Sequence, residues 1–226
     1  MGKNNQPKAR QAEKLARKAG QRASYDRILI VTEGSKTEPL YLGEIRTEFR
    51  LQTANVQVQQ GKYGTSPIRI VEYAKHLFVN GDEKNIPPRA FEQVYVVFDR
   101  DDHETYHKAL DEAAALNNGK LLNDLKQAVK FEAIASVPCF ELWLLLHFED
   151  VQAPLHRTEV YQRLRQYLPN YDKGQKGRHA QTCEYLAVAT QRAEHLAGLT
   201  TAHNDAGPYT DMHRLVRLLT TLKDPS

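Results

Sequence analysis

Two apolar runs in this chain stop on acids. In "RILIVTEGSKTEPLYL" (27–42) the run ends at Thr32-Glu33-Gly34, and in "VYVVFDRDD" (94–102) it ends on Asp99, Asp101 and Asp102. Parallel strands of an open α/β sheet deliver their carboxyl ends to one edge, where ligands bind. If the two strands are neighbours, Glu33 meets Asp99 and Asp101 from 66 residues away. Close carboxylates repel one another unless a cation is present. Carboxylate oxygens are hard donors and suit Mg²⁺ or Mn²⁺. On an extended segment residues i and i+2 point the same way, so Asp99 and Asp101 are expected to face one ion while Arg100 points elsewhere. Asp102 is expected either to join them or to cap the helix that follows. Gly34 permits a tight turn and a close approach of phosphate. Lys36 is placed to meet a phosphate oxygen.

Other residues are candidates of the same kind. Glu141 lies among apolar neighbours in "CFELWLLLHF", just past the strand end at Pro138. It reads as a further ligand or general base, against the alternative of a first-turn glutamate stabilised by the helix dipole. Glu38 follows Ser35 by three positions and reads as a capping-box partner. His103 and His107 have metal-like spacing but no third soft ligand, and read as a solvated helix face. Trp143 and His147 read as core or interface. Arg100 and the loop residues Lys62, Lys173, Lys176 and Arg178 could grip a nucleic-acid backbone. Solvated loops often carry such charges too.

These residues need a framework, and the hydrophobic pattern supplies one. Residues 26–33, 54–60, 93–99 and 130–138 read as strands, the second nearer an edge. Between them, 36–49, 67–78, 103–118 and 139–150 read as helices. Pro39 falls in the first turn of one, and Thr65/Ser66 with Pro67 begins another. Strand–helix alternation to residue 150 predicts an α/β fold with a mostly parallel central sheet flanked by helices. From 151 to 226 no strand pattern is evident. Residues 157–168, 177–199 and 211–222 have helical spacing, forming a helical C-terminal extension on one side of the sheet or an appended bundle.

With 226 residues, 41% hydrophobic and 26% charged, the chain can bury a real core. No apolar run nears the ~20 residues of a membrane span. No secretory signal pattern is present, so a cytoplasmic location and two reduced cysteines, Cys139 and Cys183, are expected. The net charge of +3 conceals a division: residues 1–24 carry +6 and the remainder −3. That basic segment is expected to be a flexible arm, either an electrostatic tether for nucleic acid or a solubilising tail.

The blocks "EGSKTEPLYL", "VYVVFDRDDHE" and "SVPCFELWLLLHF" carry a resemblance. Strand-Glu-Gly followed later by strand-Asp-x-Asp resembles the Toprim domain of topoisomerases, primases and OLD-family nucleases. The three blocks together resemble the RloB family, also represented by the second component of the AbiL phage-defence system. The likeness covers residues 25–150, with a weaker match at "AGPYTDMHRLVRLL". It implies a Toprim-like fold with Glu33, Asp99 and Asp101 as metal ligands and Mg²⁺ dependence. It further implies a part in abortive infection against phage, and nuclease chemistry on DNA or RNA. A GxxxxGK[ST] phosphate loop is absent from the sequence, so any ATPase would be a partner protein. A non-catalytic nucleic-acid sensor working with that ATPase is the alternative. A homo-oligomer is also compatible with the pattern.

Overall fold

The computed structural model of the chain describes residues 25–53, 55–83, 85–204 and 207–223. The basic arm expected over 1–24 lies outside them. Strands β1 (Ile28–Thr32), β2 (Val56–Gln60), β3 (Gln93–Asp99), β4 (Lys130–Val137) and β5 (Tyr209–Thr210) form one sheet in the order β2-β1-β3-β4-β5. The first four are parallel, and β5 runs antiparallel to β4. This is the mostly parallel, helix-flanked α/β sheet that the alternation predicts. β1 and β3 are neighbours, with Thr32 opposite Val97, and β2 is an edge strand.

The apolar runs are continuous because both faces of the sheet are covered. Period-two alternation sends Ile28, Ile30, Tyr95, Val97 and Ile134 to one face and Leu29, Val31, Val94, Val96 and Phe98 to the other. Helices α2 (Pro67–Asn80) and α3 (Tyr106–Leu116) cover the second face. The first is covered by α1 (Thr37–Glu48), α4 (Glu141–Leu146), α5 (Arg157–Tyr167), α7 (Leu186–Leu199) and α8 (Met212–Thr221). The helices after residue 151 join the core on that face, α7 and α8 against β5 and β4 and α5 against α4, so that Val160, Leu164, Ala193 and Leu215 share a core with Ile28 and Trp143. Among the described residues, no helix is long and apolar enough to cross a membrane.

Four local expectations change. The tail does contain a strand, β5, but its two residues are too few to leave an alternating signature. The helix expected over 177–199 is broken into α6 (Arg178–Thr182), a 3₁₀ turn at Cys183–Tyr185, and α7. Thr182 Oγ1 donates to the Arg178 carbonyl at 2.8 Å, the back-bonding that bends helices. The helix expected over 139–150 is regular only from Glu141 to Leu146. Its last carbonyl accepts from Arg192 Nη1 at 2.7 Å, so tertiary contact replaces a further turn. Asp102 does not cap α3: the cap position is Thr105.

Candidate active site at the carboxyl edge of the sheet

β1 ends at Thr32, whose hydroxyl donates to the Gly34 carbonyl, turning the chain sharply after Glu33. The Glu33 amide still donates to Val97 O at 2.9 Å, so the residue stays anchored to β3. Its carboxylate then reaches across: Oε2 accepts from the Asp99 amide at 3.1 Å, and Oε1 lies 3.1 Å from His103 Nε2. The two acidic strand ends meet, as their adjacency requires. Glu33, Asp99, Asp101 and Lys36 all line one cavity of about 290 Å³, together with Glu38, Thr65 and Lys173.

Asp101 arrives by an unexpected route. β3 stops at Asp99, and Asp101 has φ of 33°, so the simple i, i+2 alternation does not hold here. Its Oδ2 accepts from Arg157 Nη1 at 2.7 Å, while its buried Oδ1 has no hydrogen-bond partner. The Arg100 side chain donates to the Asp101 carbonyl at 3.0 Å and its guanidinium lies 5.4 Å from the Tyr106 ring.

Glu141 enters from β4 through the first turn of α4 and is 1% exposed. Tyr171 Oη donates to its Oε1 at 2.7 Å and Tyr161 Oη to its Oε2 at 3.1 Å; Lys173 Nζ stands 3.8 Å away. Those hydroxyls answer the cost of burying this acid among apolar residues. Three parallel strand ends, β1, β3 and β4, thus supply the acids. Region 157–173 supplies the groups that hold Asp101 and Glu141.

Glu38 is the residue whose role changes most. It lies at the second position of α1, whose cap is Lys36 with no side-chain cap bond, so it is not the capping-box partner of Ser35. It is buried in the cavity against Gly34. Burial, then the negative charge of Glu141, pushes its pKa up to about 7. Burial also raises Asp99 well above the usual carboxylate range, with Glu38, Glu141, Glu33 and Asp101 adding repulsion. Burial likewise raises Glu33 and Asp101, the latter against Arg157, Lys173 and His103. The acids repel one another and are short of compensating charge.

His103 is not on a solvated helix face: it precedes α3 and touches Glu33. His147 and Trp143 are core, with Trp143 Nε1 donating to Tyr41 Oη at 2.9 Å. Of the basic candidates, Lys173 lines the acidic cavity and Lys62 is exposed on the loop after β2. Lys176 lines a separate groove over α1. Arg178 departs from expectation. It is 4% exposed, lies 4.8 Å from the Tyr171 ring and bonds Gln181, so it braces the loop that carries Tyr171 and Lys173 and is withdrawn from any backbone phosphate.

Residues 28–219 match the family described as RloB-like protein. The chain belongs to the RloB-like family. The match spans the sheet, the acidic edge and the helices after residue 151 alike. No curated protein and no solved structure matches the chain.

Whether this RloB-like site suits a metal can be judged from its donors. Among the described residues, no group of three or more His, Cys, Asp or Glu side chains is arranged to hold an ion. Three of the acids instead lean on protein: Glu33 on His103, Asp101 on Arg157, Glu141 on two tyrosines. The donor chemistry nonetheless fits a hard divalent cation. The oxygens are carboxylate, they are held close enough to raise each other's proton affinity, and Asp101 Oδ1 is buried without a partner. Sequence reasoning reads Glu38 as a cap and His103 as a solvated face, and does not single out Arg157, Tyr161 or Tyr171.

Proposed function

We propose that this RloB-like protein is a Toprim-like, Mg²⁺- or Mn²⁺-dependent phosphoryl-transfer enzyme that cleaves nucleic acid, DNA or RNA, in bacterial defence against phage. The observation that supports this most is the convergence of Glu33, Asp99 and Asp101 on one cavity with Glu38, each with its carboxyl pKa raised. Clustered acids of raised proton affinity in a cleft mark a functional site more often than a structural one.

In this reading Glu33, Asp99 and Asp101 would hold the ion, which when bound would supply Lewis acidity toward a phosphodiester and attacking water. Lys36 and Lys173 line the same cavity and offset the charge of the phosphate. Glu38, with a pKa near neutrality, is suited to take or return a proton at its carboxylate. Glu141 is a positioning residue, because both its oxygens are engaged by tyrosine hydroxyls.

The test is calorimetric titration with Mn²⁺ and an assay of Mg²⁺-dependent cleavage of single-stranded, duplex and transfer nucleic acid. Asp99→Ala should lose both activities and keep the wild-type circular dichroism. Cleavage undiminished in that variant would remove the catalytic assignment.

A second reading is a non-catalytic sensor that signals to a partner ATPase. It is favoured by the engagement of Asp101 and Glu141 with Arg157, Tyr161 and Tyr171, which holds these acids in a closed arrangement. Binding of nucleic acid with no turnover, with or without the ATPase and across divalent ions, would select it.

A further inference from the structure

Asp101 forms part of two cavities. One is the acidic cavity already described. The other, of about 230 Å³, is lined by Asp101 together with Arg100, Arg157, His156, Asp102 and Pro138. Asp101 is thus shared by an acidic cavity and one whose lining includes two arginines and a histidine. Asp102 stands exposed at its lining. Val137, Pro138 and Leu155 make part of its lining apolar.

Arg157 also has two roles available. It donates to Asp101 Oδ2 at 2.7 Å, yet its side chain is 34% exposed. Its other terminal nitrogen lies 3.5 Å from Tyr161 Oη, and the guanidinium lies 5.9 Å from that ring. A guanidinium so exposed, in a residue that already lines the second cavity, can turn toward an anion there. Asp101 pays for its present pose in two ways: a positive φ, and a buried Oδ1 with no partner.

We propose that the cavity between Arg100 and Arg157 is a subsite for a phosphate of a nucleic-acid strand, next to the reacting phosphodiester, and that Arg157 exchanges between Asp101 and that phosphate. Guanidinium forks match phosphate oxygens in geometry, and the apolar part of the lining suits the adjoining sugar. When Arg157 engages the phosphate, Asp101 is left as a poorly compensated carboxylate facing the acidic cavity. A divalent cation there becomes the partner it lacks. Strand and cation therefore bind cooperatively, and linkage requires the effect to be mutual. The cooperativity rests on the proposed metal reading, whereas the phosphate subsite does not.

The test uses the full chain with fluorescein-labelled phosphorothioate octathymidylate, which resists cleavage, and with Mn²⁺ alone. In EDTA, Arg157→Gln should weaken octathymidylate binding about tenfold, and Arg157→Lys should recover part of the loss. Asp101→Asn releases Arg157 and should tighten binding severalfold, an arm that also answers any folding defect in the arginine variants. In calorimetry, octathymidylate should strengthen Mn²⁺ binding to the wild type at least about fivefold, within the usual range of such coupling. Arg157→Gln should abolish that coupling. Octathymidylate bound equally by wild type, Arg157→Gln and Asp101→Asn in EDTA would overturn the subsite. Coupling undiminished in Arg157→Gln would overturn the exchange. If the wild type takes up no Mn²⁺ while octathymidylate binding in EDTA still depends on Arg157, the subsite stands and the metal reading falls.

Discussion

A methyl group on Gly34 would lie 2.1 Å from Oε2 of Glu38. The glycine after Glu33 therefore does more than relax a turn: it leaves the volume that a buried carboxylate occupies. Gly34→Ala should push Glu38 out of the cavity and destabilise the protein by about 1 kcal/mol, the low end of overpacking, because the atom met is the end of a flexible side chain. Glu38→Ala removes the obstacle, so the double variant should be less destabilised than the sum of the singles. Urea denaturation of all three checks this, and strict additivity would separate the two residues.

Glu38 also sets a pH dependence. Its pKa rises from the ordinary 4.5 to about 7 on folding, because burial and Glu141 disfavour its charge. Between those values the folded protein holds more protons than the unfolded chain. Its contribution to stability is thus complete below pH 4.5 and lost as pH rises through 7. Buried His147, lowered to about 4 by desolvation, acts in the opposite sense over an overlapping range. The difference between wild type and Glu38→Gln isolates the first term. In EDTA the variant should gain roughly 2–3 kcal/mol on wild type between pH 4.5 and 8. Melting curves across that range measure it.

Glu141 keeps its place through Tyr171 and Tyr161. Tyr171→Phe deletes a 2.7 Å donor to a 1%-exposed carboxylate and should cost about 1–3 kcal/mol. Tyr161→Phe, whose bond is longer at 3.1 Å, should cost less. Pairing each with Glu141→Gln in a double-variant cycle separates the bond from the rest of the side chain.

At the opposite, amino-terminal edge of the sheet, Arg27 is buried and bonded to Glu92 and Asp124, joining the starts of β1 and β3. Arg27→Ala should lower stability by about 2–3 kcal/mol, since it leaves two acids without their cation. Mn²⁺ affinity per folded molecule should be unchanged. An altered affinity would show that the two edges are coupled.

The local pattern of the chain determined the sheet. Strand runs stand out because β1 and β3 are apolar on both faces, and an unbroken apolar run of that length has few other uses. The acids that end them were readable for the same reason: Glu33 and Asp99 are the first polar residues after each run or nearly so, and parallel neighbours must deliver them to one edge. The RloB-like family could be read from three contiguous blocks, and the match over 28–219 bears that reading out.

Tertiary structure alone decided how those acids are held. Arg157 meets Asp101 across 56 residues and Tyr171 meets Glu141 across 30, from a region whose own sequence shows only helical spacing and a polar loop. Periodicity reports which face of an element is buried. It carries no information on which polar residue of one element will face which acid of another, since that depends on how the layers stack. The same limit hid β5, whose pairing with β4 is specified by the partner strand and by the Ser136–Thr210 hydroxyl contact. It also hid Glu38, which one turn of helix and the absence of a side chain at Gly34 carry into the cavity.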